Sequence, residues 1–175
     1  MANQTSSDYG VYPPRAVQVG ENMMHSNIIT TISASASDNM YMFPIPPDCL
    51  EGSKEHWRPY VLSIAERASN PLEEMERMLY AGEAQAFLVW NPESQCSHAF
   101  IGVEYRGSTK GRVGQIIWLM GEDRKAWIHL FADLETYLRD QQSCVAVRPV
   151  ARRGWAKFLK ANGYRETHVV MEKSL

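Results

Sequence analysis

The stretch that decides the fold is residues 144–164, CVAVRPVARRGWAKFLKANGY. It begins as an apolar, β-branched run, and Pro149 ends the run because proline cannot donate a hydrogen bond to a sheet. An apolar face at helical spacing follows, and Asn162-Gly163 is typical of the left-handed end of a helix. The residues of this face are Trp155, Phe158 and Leu159. The segment therefore predicts a buried central strand that leads into an amphipathic helix.

The chain before this segment is predicted to contain two helices, then three strands, then a third helix. Apolar residues recur at helical spacing in the helices, and turn residues separate the strands. A strand, helix, strand order with both strands apolar implies a parallel crossover, so the predicted sheet is mixed. The predicted elements are helices over 57–68 and 71–81, strands over 84–90, 99–106 and 113–120, a helix from 122 or 123, and a last strand over 167–171.

Residues 1–47 differ from the rest of the chain in composition. They carry four charged side chains among many Ser, Thr, Asn, Met and Pro, and have one β-rich run at 27–33, NIITTIS. Such a segment cannot bury enough apolar surface on its own to offset its ordering entropy. We predict an extended, poorly structured N-terminal arm over 1–47 and a folded domain over 48–175. The arm either frays or docks on a protein partner.

Composition indicates an ordinary globular protein and excludes several classes. The chain has 175 residues, 45% hydrophobic and 22% charged, with a net charge of −2, so no global charge predicts a nucleic-acid or membrane partner. No apolar run of about 20 residues and no signal peptide occurs, so we expect a protein that is neither transmembrane nor secreted. The 3 cysteines are far apart and the 5 histidines lack ligand spacing, so we expect free thiols and no metal site.

Several short motifs occur in an order that resembles a known family. They are Trp57-Arg58-Pro59, GEAQAFLV at 82–89, Trp127-Ile128-His129-Leu130, Arg153-Gly154-Trp155 and VVMEK at 169–173. Residues 48–175 with these motifs resemble the GCN5-related N-acetyltransferase (GNAT) fold, and most closely the GNAT-like proteins of tailed bacteriophages and prophages. The resemblance implies an α/β (α+β) protein with a mixed β-sheet flanked by helices.

The resemblance also implies acetyl-CoA as a cofactor, bound at the loop after the fourth strand. In GNAT enzymes this loop carries Arg/Gln-x-x-Gly-x-Gly/Ala, and its backbone N–H groups approach the pyrophosphate. Here the stretch is LMGEDRKAW at 119–127, which lacks the two spaced glycines. Glu122 and Asp123 would repel an anion, although the neighbouring cations offset them. The cofactor-binding candidates are Gly121, Arg124 and Lys125.

Acetyl transfer further requires a general base and an acid. Glu104 on the third strand and Glu122 after the fourth are the candidate bases, and surface acids are the alternative interpretation for both. Many family members have a tyrosine as general acid four residues before the Gly of Gly-Phe, where this chain has Leu159. Tyr164 holds the Gly-aromatic position, whose usual role in the family is packing.

Two main functions follow. The first is a phage GNAT-fold protein in the virion or the host cytoplasm, where it is a structural or binding component with degenerate or no acetyl transfer. It would dock on other virion proteins through the arm. The alternative is an acyl-CoA-dependent N-acetyltransferase acting on a protein or small-molecule amine.

A basic stretch leaves a third possibility. Residues 148–165 hold six basic side chains and no acidic one. This pattern fits a solvated helix face, a phosphate-bearing ligand, an acidic protein partner or nucleic acid. The nucleic-acid candidates are Arg148, Arg152, Arg153 and Lys157.

Overall fold

The computed structural model describes residues 40–68, 70–151 and 153–167. A five-stranded sheet forms the centre, with its strands in chain order. The strands are β1 (Tyr41–Ile45), β2 (Ala84–Asn91), β3 (Cys96–Ser108), β4 (Gly111–Gly121) and β5 (Cys144–Pro149). The helices are α1 (Lys54–Ala68), α2 (Leu72–Tyr80), α3 (Arg124–Trp127), α4 (Phe131–Asp140) and α5 (Ala156–Ala161). Short 3₁₀ turns lie at Pro47–Cys49, Ile128–Leu130 and Arg153–Trp155.

The sheet is mixed, as the sequence predicts. β1 to β4 are antiparallel neighbours, and β5 lies parallel to β4 because α3 and α4 form a crossover between them. Each face of the sheet buries one apolar cluster. The cluster under α1 and α2 includes Trp57, Val61, Leu79, Phe100 and Trp118. The cluster under α3 and α4, with α5 packed at its margin, includes Phe87, Ile101, Trp127, Phe131 and Leu138.

β1 lies inside the segment that the sequence analysis assigns to the arm. It pairs with β2 over its whole length, and Met42 and Ile45 are each 1% exposed. The sheet therefore extends further toward the N-terminus than the boundary at residue 47 predicts. Residues 1–39, with the predicted run at 27–33, and residues 168–175, with most of the predicted last strand, lie outside the described residues.

The strand predicted at the start of the segment 144–164 is present as β5, but the prediction that it is buried is wrong for most of its length, and its central position stays a prediction. β5 pairs with β4 alone among the described strands, and Val145 is 58% exposed while Cys144 is buried. β-branched residues favour edge and central strands alike, because the preference reflects a fit to a pleated surface. The predicted helix after it is confirmed in its apolar face, with Leu159 buried and Trp155 half-buried.

The helix predicted from residue 122 or 123 is interrupted. α3 has four residues, a 3₁₀ turn follows, and α4 begins only at Phe131. Asp123 takes a left-handed φ of 39° before the first turn, a conformation that single Asp residues tolerate. Trp127 leaves helical geometry at φ −122°, and its side chain is 1% exposed. The bend allows this large side chain to reach the core.

Replacing Met42 tests whether β1 belongs to the folded domain. Met42→Ala removes a buried side chain opposite Val89, and we expect the free energy of unfolding to fall by about 2–5 kcal/mol. Urea denaturation of the full chain measures this loss. Tyr41→Ala is the matched control, because Tyr41 lies in the same strand and is half-buried. Equal stability of Met42→Ala and the parent protein would contradict this assignment of β1.

Candidate functional site

β4 has two neighbouring strands over its first half and only one over its second half. It pairs with β3 along its whole length, but with β5 only as far as Ile116, which lies opposite Pro149. The amide of Val150 donates to the Ile116 carbonyl at 2.8 Å, and the chain then leaves the sheet. On the β5 side, residues 117–121 have no strand partner in the described chain. We call this unpaired edge of β4, which begins where β5 ends, the opening.

A β-bulge lies next to the point where the pairing of β4 with β5 ends. Trp118 pairs with Gly102 and Ile116 pairs with Val103, so Ile117 is an extra residue on β4. A bulge disrupts the ladder and leaves the extra residue unpaired. A Cβ on Gly102 would collide with the Trp118 ring, so the indole lies across β3 at this glycine. The opening thus begins at a distortion of the β3–β4 ladder.

The loop after β4 is fixed by hydrogen bonds at Glu122. Its amide donates to the His98 carbonyl at 3.0 Å, and its carbonyl accepts from Trp127 Nε1 at 2.7 Å. Because α3 has only four residues, few peptide dipoles add at its N-terminus. The side chains of Glu122 and Asp123 are exposed at this turn. These hydrogen bonds hold the loop in place, but its two exposed acids and its short helix make it a weak site for an anion.

Gly121 is required by packing at the end of β4. A Cβ at this position would lie 2.6 Å from the Ala99 Cβ, 2.8 Å from the Trp127 ring and 2.9 Å from the His98 carbonyl oxygen. The space beside the glycine is therefore filled by the buried indole. This arrangement differs from a glycine that leaves room for a ligand, which is the role that the resemblance implies for Gly121.

Arg124 and Lys125 lie on the first turn after the loop, and both are exposed. The Arg124 guanidinium is 5.1 Å from the centre of the Trp155 ring, a cation–π distance. Trp155 stacks on Phe131 at 6.4 Å. Arg124 therefore bridges α3 to the turn before α5, next to the opening. Both cations remain within the region where the sequence predicts cofactor binding.

The two candidate bases lie far apart, with Glu104 near the middle of the β3–β4 ladder and Glu122 just beyond its end. Glu104 lies opposite Gln115, near the bulge, while the Glu122 amide bonds to His98. The six residue steps from His98 to Glu104 span about 20 Å at ~3.3 Å per residue. Glu104 is 22% exposed and accepts from Arg106 at 2.9 Å. These two carboxylates cannot act together on one amine.

Leu159, at the position of the usual acid, is 9% exposed and carries no proton to donate. Gly163 takes a φ of 82°, and the Tyr164 amide donates to the Leu159 carbonyl at 3.0 Å, which ends α5. The Tyr164 hydroxyl donates to Glu135 at 2.5 Å, beside a cavity of about 240 Å³ between α4 and α5. Burial and this carboxylate raise the pKa of Tyr164, so its proton stays with the phenol.

The basic residues of the predicted nucleic-acid surface do not share one described face. Val147 packs on the α4 side of the sheet, so Arg148 projects to the opposite side by strand alternation. Lys157 is exposed on α5, which packs on the α4 side. Arg152 and the side chain of Arg153 lie outside the described residues. Nucleic-acid binding stays a prediction.

Two features of this region were missed by sequence reasoning. The bulge at Ile117 lies in an apolar run, IIWLM at 116–120, which carries no Gly or Pro to signal it. His98, beside the loop, has a buried Nε2 with no hydrogen-bond partner in the described part of the chain. Among residues 40–68, 70–151 and 153–167, no group of three or more His, Cys, Asp or Glu is arranged for a metal. No helix in those ranges is long and apolar enough to cross a membrane.

Replacing Gly121 tests the packing at the end of β4. Gly121→Ala adds a methyl group where three neighbours lie within 3 Å, and we expect destabilisation of about 1–3 kcal/mol by urea denaturation. Gly107→Ala is the matched control on β3, because a Cβ there meets nothing within 4 Å. Unchanged stability of Gly121→Ala would show that the indole does not fill this space.

No protein-family model and no curated protein matches this sequence. Ribosomal-protein-alanine N-acetyltransferase from Brucella melitensis biovar Abortus 2308 matches with a TM-score of 0.57 and 14% identity, over 77% of this chain and 99% of that chain. Aminoglycoside N-acetyltransferase AAC(6')-Iy, in complex with CoA, matches with a TM-score of 0.57 and 16% identity, over 78% and 94%. A possible acetyltransferase from Clostridium difficile 630 matches with a TM-score of 0.54 and 15% identity, over 79% of this chain and 99% of that chain. The fold of this chain is that of GNAT acetyltransferases.

Proposed function

We propose that this protein is an acyl-CoA-dependent N-acetyltransferase acting on an amine. The observation that carries the proposal is the opening at the edge of β4, which is unpaired beyond the end of β5 from the bulge at Ile117 to the loop 121–125. A solved neighbour with this fold, AAC(6')-Iy, is in complex with CoA. That likeness supports acetyl-CoA as the ligand for which the opening is suited.

The proposed pose of the cofactor runs along the free edge of β4. The pantetheine arm of CoA is extended and contains two amide groups, so it can hydrogen-bond to a strand edge as an added strand does. The edge from Ile117 to Gly121 is about 13 Å long at ~3.3 Å per residue. An extended chain of four residues has a similar length, about 13–14 Å. In this pose the thioester lies near the bulge and the diphosphate lies near the loop.

The bulge end of the opening offers the groups that acyl transfer needs. We propose a backbone N–H on the unpaired edge of β4 beyond the bulge as the donor for the oxyanion that forms when the amine attacks the thioester. Glu104 lies opposite Gln115, about 7 Å along the strand from the bulge. We assign Glu104 as the general base, which takes the amine proton directly or through one water. Glu122 is about 17 Å from the bulge by the same rise and belongs to the phosphate end.

At the phosphate end we assign Arg124 and Lys125 to the diphosphate, with Gly121 setting the turn. Glu122 and Asp123 oppose this binding because they bring negative charge to the same turn. The proposal therefore includes a low affinity for acetyl-CoA, with much of the binding from the strand edge.

A second candidate is a non-catalytic binding or structural component, as the resemblance to phage proteins implies. The two acids of the loop and the aliphatic Leu159 favour it, because both weaken acetyl transfer. Docking on other virion proteins through the part of the predicted arm that precedes β1, in the virion or the host cytoplasm, is part of this second proposal. Failure of acetyl-CoA to bind would favour it over the enzyme.

Neutralising the acids of the loop tests the cofactor pose. We expect E122Q/D123N to bind acetyl-CoA about 2- to 30-fold more tightly than the parent protein, since each exposed like charge removed from beside the diphosphate relieves about 0.2–1 kcal/mol of repulsion. Asn keeps the left-handed conformation at residue 123 accessible. Calorimetric titration of acetyl-CoA into the full chain measures the difference.

The matched control for this titration is D48N/E73Q, which removes two exposed acids away from the loop and changes the net charge equally. Its affinity should equal that of the parent protein. The absence of binding by both the parent protein and E122Q/D123N would overturn the proposed function. Equal gains in both double variants would show only a global charge effect.

Replacing Glu104 tests the assigned base. We expect Glu104→Gln to lower kcat by about 10²- to 10⁴-fold with little effect on acetyl-CoA affinity. The measurement is release of CoA thiol in the presence of an amine acceptor. Glu76→Gln is the matched control, because Glu76 is also 22% exposed and bound to an arginine, Arg58 at 2.6 Å. A Glu104→Gln protein with parental kcat would exclude Glu104 as the base.

A further inference from the structure

Three polar side chains form a row across three neighbouring strands. Glu104 on β3 lies opposite Gln115 on β4, and Gln115 lies opposite Arg148 on β5. Since adjacent strands are about 4.8 Å apart, the Cα atoms of Glu104 and Arg148 are separated by about 10 Å. The row lies one or two residues from the bulge, at the thioester end of the opening.

The three side chains project from the same face of the sheet. On β3 and β5 the immediate neighbours Val103, Tyr105 and Val147 pack on the α4 side. On β4 a Cβ at Gly114 would contact Leu138 of α4, and Ile116 packs on that side too. Side chains alternate along a strand, so the row faces the α1 and α2 side.

The described helices on that face leave the row accessible to solvent. The apolar cluster under α1 and α2 takes Phe100 and Trp118 from β3 and β4, which lie on the other side of the bulge from the row. Glu104 is 22% exposed, Gln115 is intermediate and Arg148 is exposed. The row is therefore a surface that a small molecule can reach from solvent.

Of the two charged side chains in the row, one has an ion-pair partner in the described chain and the other has none. Glu104 is already paired with Arg106, and Gln115 is neutral. No ion pair of Arg148 is formed with any residue of the described chain. A cation that lies about 10 Å from the general base can bind an anionic group while the base receives a proton from the same molecule.

We propose that the acceptor is a small amine that carries an anionic group, a carboxylate or a phosphate, a few atoms from its nitrogen. Arg148 binds the anion, Gln115 hydrogen-bonds to the part between, and Glu104 faces the amine. This inference rests on the proposed function for its chemistry, since it names the substrate class of that site. Arg106 holds the Glu104 carboxylate in position and leaves its second oxygen free to accept a proton.

The reaction balances with acetyl-CoA and this acceptor alone. The amine nitrogen forms a bond to the acetyl carbonyl carbon, and the carbon–sulfur bond breaks with its electron pair leaving on the CoA sulfur. Glu104 takes the proton from the nitrogen and then releases it to solvent. The products are the N-acetylated acceptor, which keeps its anionic group, and CoA.

The test uses matched pairs of amines with and without the anion, and it needs no cofactor. β-Alanine and β-alaninamide form the carboxylate pair, and O-phosphoethanolamine and ethanolamine form the phosphate pair. Each is titrated into the full chain while backbone amide resonances of the row are followed by NMR. We expect the anionic member of at least one pair to bind about tenfold or more tightly, as for a hydrogen bond to a charged group. The pair with the larger difference identifies the anion.

The variant Arg148→Gln should remove that difference, while Arg165→Gln, an exposed arginine on another part of the surface, should keep it. Equal binding within both pairs, binding by none of the four, or a difference that survives in Arg148→Gln would each overturn the inference. Its failure is distinct from failure of the proposed function, which is read from the acetyl-CoA titration. If the protein binds the anionic amines but not acetyl-CoA, the row is confirmed as their binding site and only the acetyl transfer is overturned.

Discussion

The organisation of this molecule depends on the unequal pairing of β4. Its hydrogen bonds to β3 run along the whole strand, while those to β5 stop at Ile116. A strand with one free edge exposes backbone donors and acceptors that need a partner. The bulge at Ile117 lies where the second partner is lost, so a distortion in the ladder coincides with the start of the free edge. The candidate site is therefore made first by backbone groups and only secondarily by side chains.

The far end of the same strand shows a competing requirement. Trp127 buries its indole against Gly121 and donates to the Glu122 carbonyl, which fixes the loop and fills the core. A buried indole of this size contributes substantially to stability. The indole fills the space beside Gly121 that a phosphate would need in order to approach the backbone. Two acids, Glu122 and Asp123, also remain at this turn. Stability and anion binding thus compete at residues 121–127, whereas the bulge end carries no such conflict.

The sequence predicts the helices and strands better than it predicts which strands lie next to each other in the sheet. The meander of β2 to β4 and the parallel crossover follow from apolar runs separated by turn residues, and both are confirmed. Whether a strand is central or at an edge does not follow, because Val145 and Val147 would suit either place. β1 was missed because its five residues, YMFPI, include a proline and lie in a segment of arm-like composition. Pairing with β2 supplies the stabilisation that the local sequence lacks.

Register explains what sequence reasoning could and could not find at the site. Glu104 is recognisable as a carboxylate on a predicted strand, but its place opposite Gln115 and one strand from Arg148 depends on two registers that composition does not encode. A one-residue slip of either strand would move its side chains to the other face. The bulge at Ile117 is itself such a local slip, and it turns two successive side chains of β4 toward α1. Apolar clusters cover both faces of the sheet around residues 116–120. The side chains there are therefore apolar whichever face they point to, and the alternation of apolar and polar residues that would reveal a bulge is missing from the sequence.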